Sequence, residues 1–198
     1  NLRLTWQVSP NSKIALYADN LGGCNCNRGT GPNVAPEAGN NRNTPINNMF
    51  VASWNWTISN RLLLEVGQAF RRDIWNQYNY AQFKPGSTAP DGIRVIDSGT
   101  GLTFRALGPT TMNLSFLEPG RASLSYVTGS HNLKVGTQWN AMANIVDTYH
   151  IGSLTGNMYS YGFVNGVPSS VTISRNAIAH DRVKLALALY GQDRWTVK

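Results

Sequence analysis

The chain has 198 residues, enough for one domain with a sizeable core, and only 14% of them are charged, against roughly 25% in an ordinary soluble domain. The formal charge is +7, but the lysines and arginines are scattered and form neither a basic helix nor a basic run, so nucleic acid is not an expected partner. A run of about 18 apolar residues is absent, which excludes a membrane-spanning helix in these residues but not a transmembrane β-barrel, whose strands need only about ten residues each.

In chain order, Leu2, Leu4, Trp6 and Val8 alternate with Arg3, Thr5 and Gln7, the period-two pattern of a strand with one apolar face. Ser9-Pro10-Asn11-Ser12 reads as a tight turn, and Ile14 and Leu16 resume the alternation. The pattern lapses from Asn20 to Asn47 in a polar, Gly/Asn-rich loop that holds both cysteines, Cys24 and Cys26. A bridge so close in sequence closes a small ring, and an oxidising compartment favours it; two free loop thiols are the other reading. Phe50, Ala52, Trp54, Trp56 and Ile58 form the next strand, Ser59-Asn60-Arg61 the next turn, and Leu62, Leu64, Val66 and Phe70 the next apolar face, opposite Glu65 and Arg71. A second irregular stretch runs to about Pro119, with short strand pieces expected at Ile93–Asp97 and Met112–Phe116. Ala122, Leu124 and Tyr126 lead through a turn at Gly129–Asn132 to Leu133, Val135 and Trp139, which oppose Lys134 and Gln138. After a loop over 141–155, Tyr159, Tyr161 and Phe163 make a hairpin with Val171 and Ile173 through Asn165-Gly166, a strong hairpin signal. The last strand, from Arg182, places Val183, Leu185, Leu187 and Leu189 on one side and Lys184 and Tyr190 on the other.

Short and long connections alternate. An antiparallel up-and-down sheet with its tight turns at one end and its long loops at the other describes an outer-membrane barrel, although a soluble β-sandwich shares the strand alternation. In the barrel reading Arg3, Gln7, Glu65, Arg71, Lys134, Gln138 and Lys184 face a watery lumen. Trp54, Trp56, Leu185 and Leu187 then face lipid, with Trp6, Trp75, Trp139 and Trp195 near strand ends as an aromatic girdle. Tyr78, Tyr80 and Phe83, in the second long stretch, are the candidate ligand-binding aromatics. His131, His150 and His180 lie in a turn and loops without a catalytic partner at a recognisable spacing, and the ten acidic residues are spread singly, so neither an enzyme, a metal centre nor a cofactor is expected.

LTWQVSPNSKIALYADN, SWNWTISNRLLLEVG, LSYVTGSHNLKVG, YGFVNGVPSSVTI and ALYGQDRWTVK occur here in order, and together they resemble the barrel of TonB-dependent outer-membrane receptors of the Oar-like group, which carry a carboxypeptidase-regulatory-like domain. The resemblance spans nearly the whole chain. It implies that residues 1–198 are part of one β-barrel domain, about nine strands of a barrel of about 22, without the plug domain and TonB box. It further implies periplasmic tight turns, extracellular long loops, and energy-coupled uptake of a nutrient such as a siderophore, oligosaccharide or peptide. The implied partners are outer-membrane lipid, the remaining strands and plug, TonB, and a small nutrient ligand. The alternative is a non-transporting β-rich surface protein with a structural or ligand-binding role.

Overall fold

The computed structural model describes residues 1–79, 93–108, 110–149, 157–175 and 177–196. Among these residues twelve strands follow in order: β1 (Leu2–Ser9), β2 (Ser12–Asn20), β3 (Gly23–Arg28), β4 (Asn40–Ser59), β5 (Leu62–Asn79), β6 (Arg94–Asp97), β7 (Leu102–Phe104), β8 (Thr110–Thr128), β9 (His131–Tyr149), β10 (Asn157–Val164), β11 (Val167–Arg175) and β12 (Ala177–Trp195). A 3-10 turn, Pro36–Ala38, precedes β4.

The main sheet is an antiparallel meander in the order β1-β2-β4-β5-β8-β9-β12, with β3 paired beside β2 on the same edge of β4. Its three tight turns share one rim. Each is tied to a neighbouring strand by a backbone bond of 2.8 Å: Thr57 N–H to Asn11 O, Val127 N–H to Arg61 O, and Thr196 N–H to Ser130 O. The sheet is open, with β1 and β12 as its edges.

Strands β4, β5, β8, β9 and β12 run 18 to 20 residues, about twice what a tilted strand needs to cross a bilayer. The segments read from sequence as loop at Asn40–Asn47, 73–79, 141–149 and 177–181 are strand, and the short piece expected at Met112–Phe116 belongs to the longer β8. They belong to a polar extension of the wall, where the apolar alternation fades while backbone pairing continues. His131 likewise opens β9, and His180 lies within β12.

The hairpin expected to continue the wall leaves it instead. Strands β10 and β11 join β6 and β7 in a second sheet, ordered β11-β10-β6-β7, with β10 parallel to β6. This small sheet is built from the long connections, so Asn165-Gly166 turns on their side and not at the tight-turn rim. The turn itself forms as its residues dictate, with φ of 50° at Asn165 and 82° at Gly166.

Burial is distributed in reverse of a soluble domain. Among the described residues the buried apolar side chains Ala38, Ile93, Val95 and Ala106 sit in the long connections, and Ala143 alone in the wall. The large apolar side chains of the wall are open instead: Leu187 is 60% exposed and Leu189 78%. A sheet whose leucines, valines and tryptophans lie bare is stable only against another apolar medium.

Candidate functional site

Register assigns the wall two chemically distinct faces. One row, Leu4–Leu16–Ala52–Gln68–Gly120–Trp139–Leu187, runs from edge to edge. The next, Trp6–Ile14–Trp54–Val66–Ala122–Thr137–Leu189, lies nearer the tight turns on the same face. Trp54 and Trp56 stack on this face with centroids 5.5 Å apart, and Trp54 Nε1 donates to Ser12 Oγ at 2.9 Å. At the tight-turn rim Trp195 stacks on His131 at 5.7 Å, and His131 Nδ1 lies 2.6 Å from Asp193.

Trp139 is not near a strand end, where the sequence reading put it, but at mid-wall opposite Leu187. Its ring lies across Gly120, where a Cβ would overlap it, and its Nε1 donates to Gln68 Oε1 at 2.9 Å. Gln68, the polar side chain of this row, thereby has a partner on an apolar surface. Gly120→Ala is expected to unseat Trp139 and to cost about 1–3 kcal/mol of wall stability. Urea unfolding of the protein in lipid vesicles, followed by tryptophan fluorescence, reads the shift.

The opposite face carries the polar candidates. Arg3, Gln7, Glu65, Arg71, Lys134 and Gln138 all fall on it by register. Lys134 Nζ donates to Glu65 at 2.8 Å and Ser123 Oγ donates to the same oxygen at 3.4 Å, joining β5, β8 and β9. Both charged side chains remain about one-third exposed, so the pair contributes less than about 1 kcal/mol, and its value lies in fixing polar groups along a wet wall. Beside it Tyr190 lies over Gly136, where a Cβ would meet the phenol ring. Gln7 turns back to close its own hairpin, donating to Ser9 O at 2.6 Å, and Arg71 pairs with Asp73 at 3.8 Å. Trp75, expected in the girdle, sits on this face with the Arg42 guanidinium 4.0 Å from its ring centroid.

Lys184 and Leu185 depart from simple alternation. Val183 pairs with Met142 and Ala186 with Asn140, so two residues oppose Ala141 alone. This bulge puts Val183 in a polar-face row with Met142, not with Leu187 as the alternation predicted. Lys184 sits in the bulge, outside the register that carries the other polar-face candidates.

The long connections knit into a cap. The loop before β4 meets β7 through Ala35 N–H to Thr103 O and Thr103 N–H to Asn33 O, both 2.9 Å. Phe104 and Phe163 pack at 6.4 Å. At the centre is Asp97, buried at 5% exposure, which no sequence motif singled out. Its Oδ1 accepts from the backbone N–H of Gly99, Thr100 and Asn165, and its Oδ2 from Gly166 at 2.7 Å. One carboxylate thus ties the β6–β7 turn to the β10–β11 turn. Burial pushes this carboxyl up, but the four donors outweigh it and hold it below its ordinary value.

Cys24 and Cys26 are joined in a disulfide within β3, whose residues pair with Asn40–Thr44 of β4. Tyr78 lies in β5, in register with Asn41, while Tyr80 and Phe83 fall outside the described residues, as does His150. His180 Nε2 stands 3.3 Å from Asp147. Among the described residues no three His, Cys, Asp or Glu side chains gather as a metal site, and no helix is long and apolar enough to cross a membrane.

The model of the outer membrane beta barrel domain family matches residues 1–198, and the chain belongs to that family. No curated protein sequence matches. Among solved structures, the outer membrane transporter YddB from Escherichia coli is similar with a TM-score of 0.63 at 12% identity, over 98% of this chain and 24% of that one. The chain therefore spans about a quarter of the length of the transporter it resembles. The fold is an antiparallel outer-membrane β-barrel wall, and the protein resides in the bacterial outer membrane.

Proposed function

We propose that residues 1–198 are part of the barrel of a TonB-dependent receptor that takes up a scarce nutrient (a siderophore, an oligosaccharide or a peptide) without enzymatic chemistry. The observation that carries this reading is the pairing of an apolar face with a polar, ion-paired face on one open sheet. Lipid supports the first and a watery lumen the second. In lipid every backbone donor and acceptor needs a partner, so the edges at β1 and β12 call for further strands. In the full polypeptide those strands close the barrel, a plug fills it, and an N-terminal segment engages TonB. The tight turns then face the periplasm and the capped long connections face outward.

The test is direct. The polypeptide purified from outer membranes should be several times heavier than the 21.7 kDa of these residues, and disabling TonB should abolish uptake of its ligand by intact cells. A 21.7 kDa protein, or uptake indifferent to TonB, overturns the reading.

A further inference from the structure

The apolar face has a charged border on its cap side. Arg72, Phe116, Ala143 and Arg182 occupy one register row on that face, spread over β5, β8, β9 and β12. Two arginine positions thus flank a shelf of Phe116 and the buried Ala143, their backbones about 14 Å apart at roughly 4.8 Å per strand. Below the shelf the face is uncharged across Gln68, Gly120, Trp139 and Leu187. Neither arginine makes a side-chain hydrogen bond or ion pair among the described residues. Glu118, paired with Ala141, stands on this face between the shelf and the uncharged band, and Asp147 lies on it two rows toward the cap, against His180.

An arginine at the edge of a lipid-facing band is costly unless its head reaches an anion, and phosphate is the partner its planar fork fits best. We infer that Arg72 and Arg182 clamp the phosphate-bearing headgroup of an outer-leaflet lipid, whose acyl chains run down over Trp139 and Leu187. Charge complementarity and continuity with the lipid-facing band select this occupant. A neutral protein partner gains nothing from two unpaired guanidiniums, and a soluble anion gains nothing from the band beneath them. The inference rests on the orientation proposed above, with the cap outside.

The test uses the full-length protein extracted from outer membranes in mild detergent, with retained phosphate-bearing lipid counted by native mass spectrometry. Arg72→Ala/Arg182→Ala is expected to lower occupancy roughly tenfold or more, while Arg72→Lys/Arg182→Lys retains most of it. Heat-shifted gel mobility confirms that each variant is folded. Folded alanine and wild-type proteins with equal lipid overturn the inference, as does a wild type that retains none. Orientation is checked separately by labelling Ser169→Cys in the cap and Ser130→Cys in a tight turn on intact cells. External labelling of Ser130→Cys alone overturns the orientation, and external labelling of Ser169→Cys alone leaves the lipid result to decide the clamp.

Discussion

Leu187→Arg in the full-length protein is expected to prevent stable assembly of the wall in lipid, whereas Ala188→Arg, one residue along, is expected to be tolerated. Leu187 lies in the central row of the apolar face, opposite Trp139, and is 60% exposed in the absence of lipid. An arginine near the bilayer midplane of a barrel costs about 2–4 kcal/mol, because the head must be dragged to the interface or left among acyl chains. That is a large share of a stability of roughly 5–15 kcal/mol. Ala188 pairs with Gln138 on the polar face, where a guanidinium meets water and neighbours such as Tyr190. The readout is the fraction of unboiled protein running at folded mobility after reconstitution into vesicles, together with the urea midpoint. Equal behaviour of the two variants would remove the two-faced wall. A β-sandwich shares this alternation and would also reject Leu187→Arg, so the wild type's folded mobility in vesicles, not the contrast between the variants, separates it from the barrel.

The faces were legible from sequence because period two is a local property. Leu4, Trp6, Leu16, Trp54 and Val66 fall on one register-defined face, and Arg3, Glu65 and Lys134 on the other, as the alternation implies. The family match and the structural similarity bear out the outer-membrane barrel fold and its location. Three features were not legible, each for a physical reason. The upper parts of β4, β5 and β9 are held by backbone pairing to neighbours rather than by side-chain pattern, so they read as loop, and of upper β8 only Met112–Phe116 read as strand. The bulge at Lys184–Leu185 leaves its residue types unchanged while shifting Val183 to the other face. The β10–β11 hairpin carries the same local signals as a wall hairpin, and only its parallel pairing with β6 removes it from the wall. Trp139 illustrates the same limit, since its place is set by Gly120 on a neighbouring strand and Gln68 two strands away.

Asp97 accounts for the second large effect. Asp97→Ala removes the acceptor for four backbone N–H groups at once and leaves donors in two different turns without a partner. Among the described residues, the β10–β11 turn is then tied to β6–β7 by the short β6–β10 ladder, the Ser98 contacts to Phe163 O and the packing of Phe104 on Phe163. Hydrogen exchange at Gly99, Thr100, Asn165 and Gly166 should accelerate by roughly tenfold or more, while exchange in β8 and β9 stays unchanged. Asp97→Asn is the graded control. Its amide oxygen still accepts from the Gly99, Thr100 and Asn165 side of the latch, and its amide nitrogen cannot accept from Gly166, so Gly166 alone should open. The pH dependence has a definite sign. The folded carboxyl titrates below its ordinary 3.8, so the latch contributes fully above that value and is lost as pH falls through the lower folded one. Cap exchange rates in the wild type should therefore show no contribution from Asp97 titration between pH 5 and 8 and rise only in stronger acid. The alanine variant should lack that acid-dependent step. A wild-type cap that loosens near neutral pH, or an alanine variant with unaltered exchange at all four amides, would show that the latch is held by groups other than Asp97.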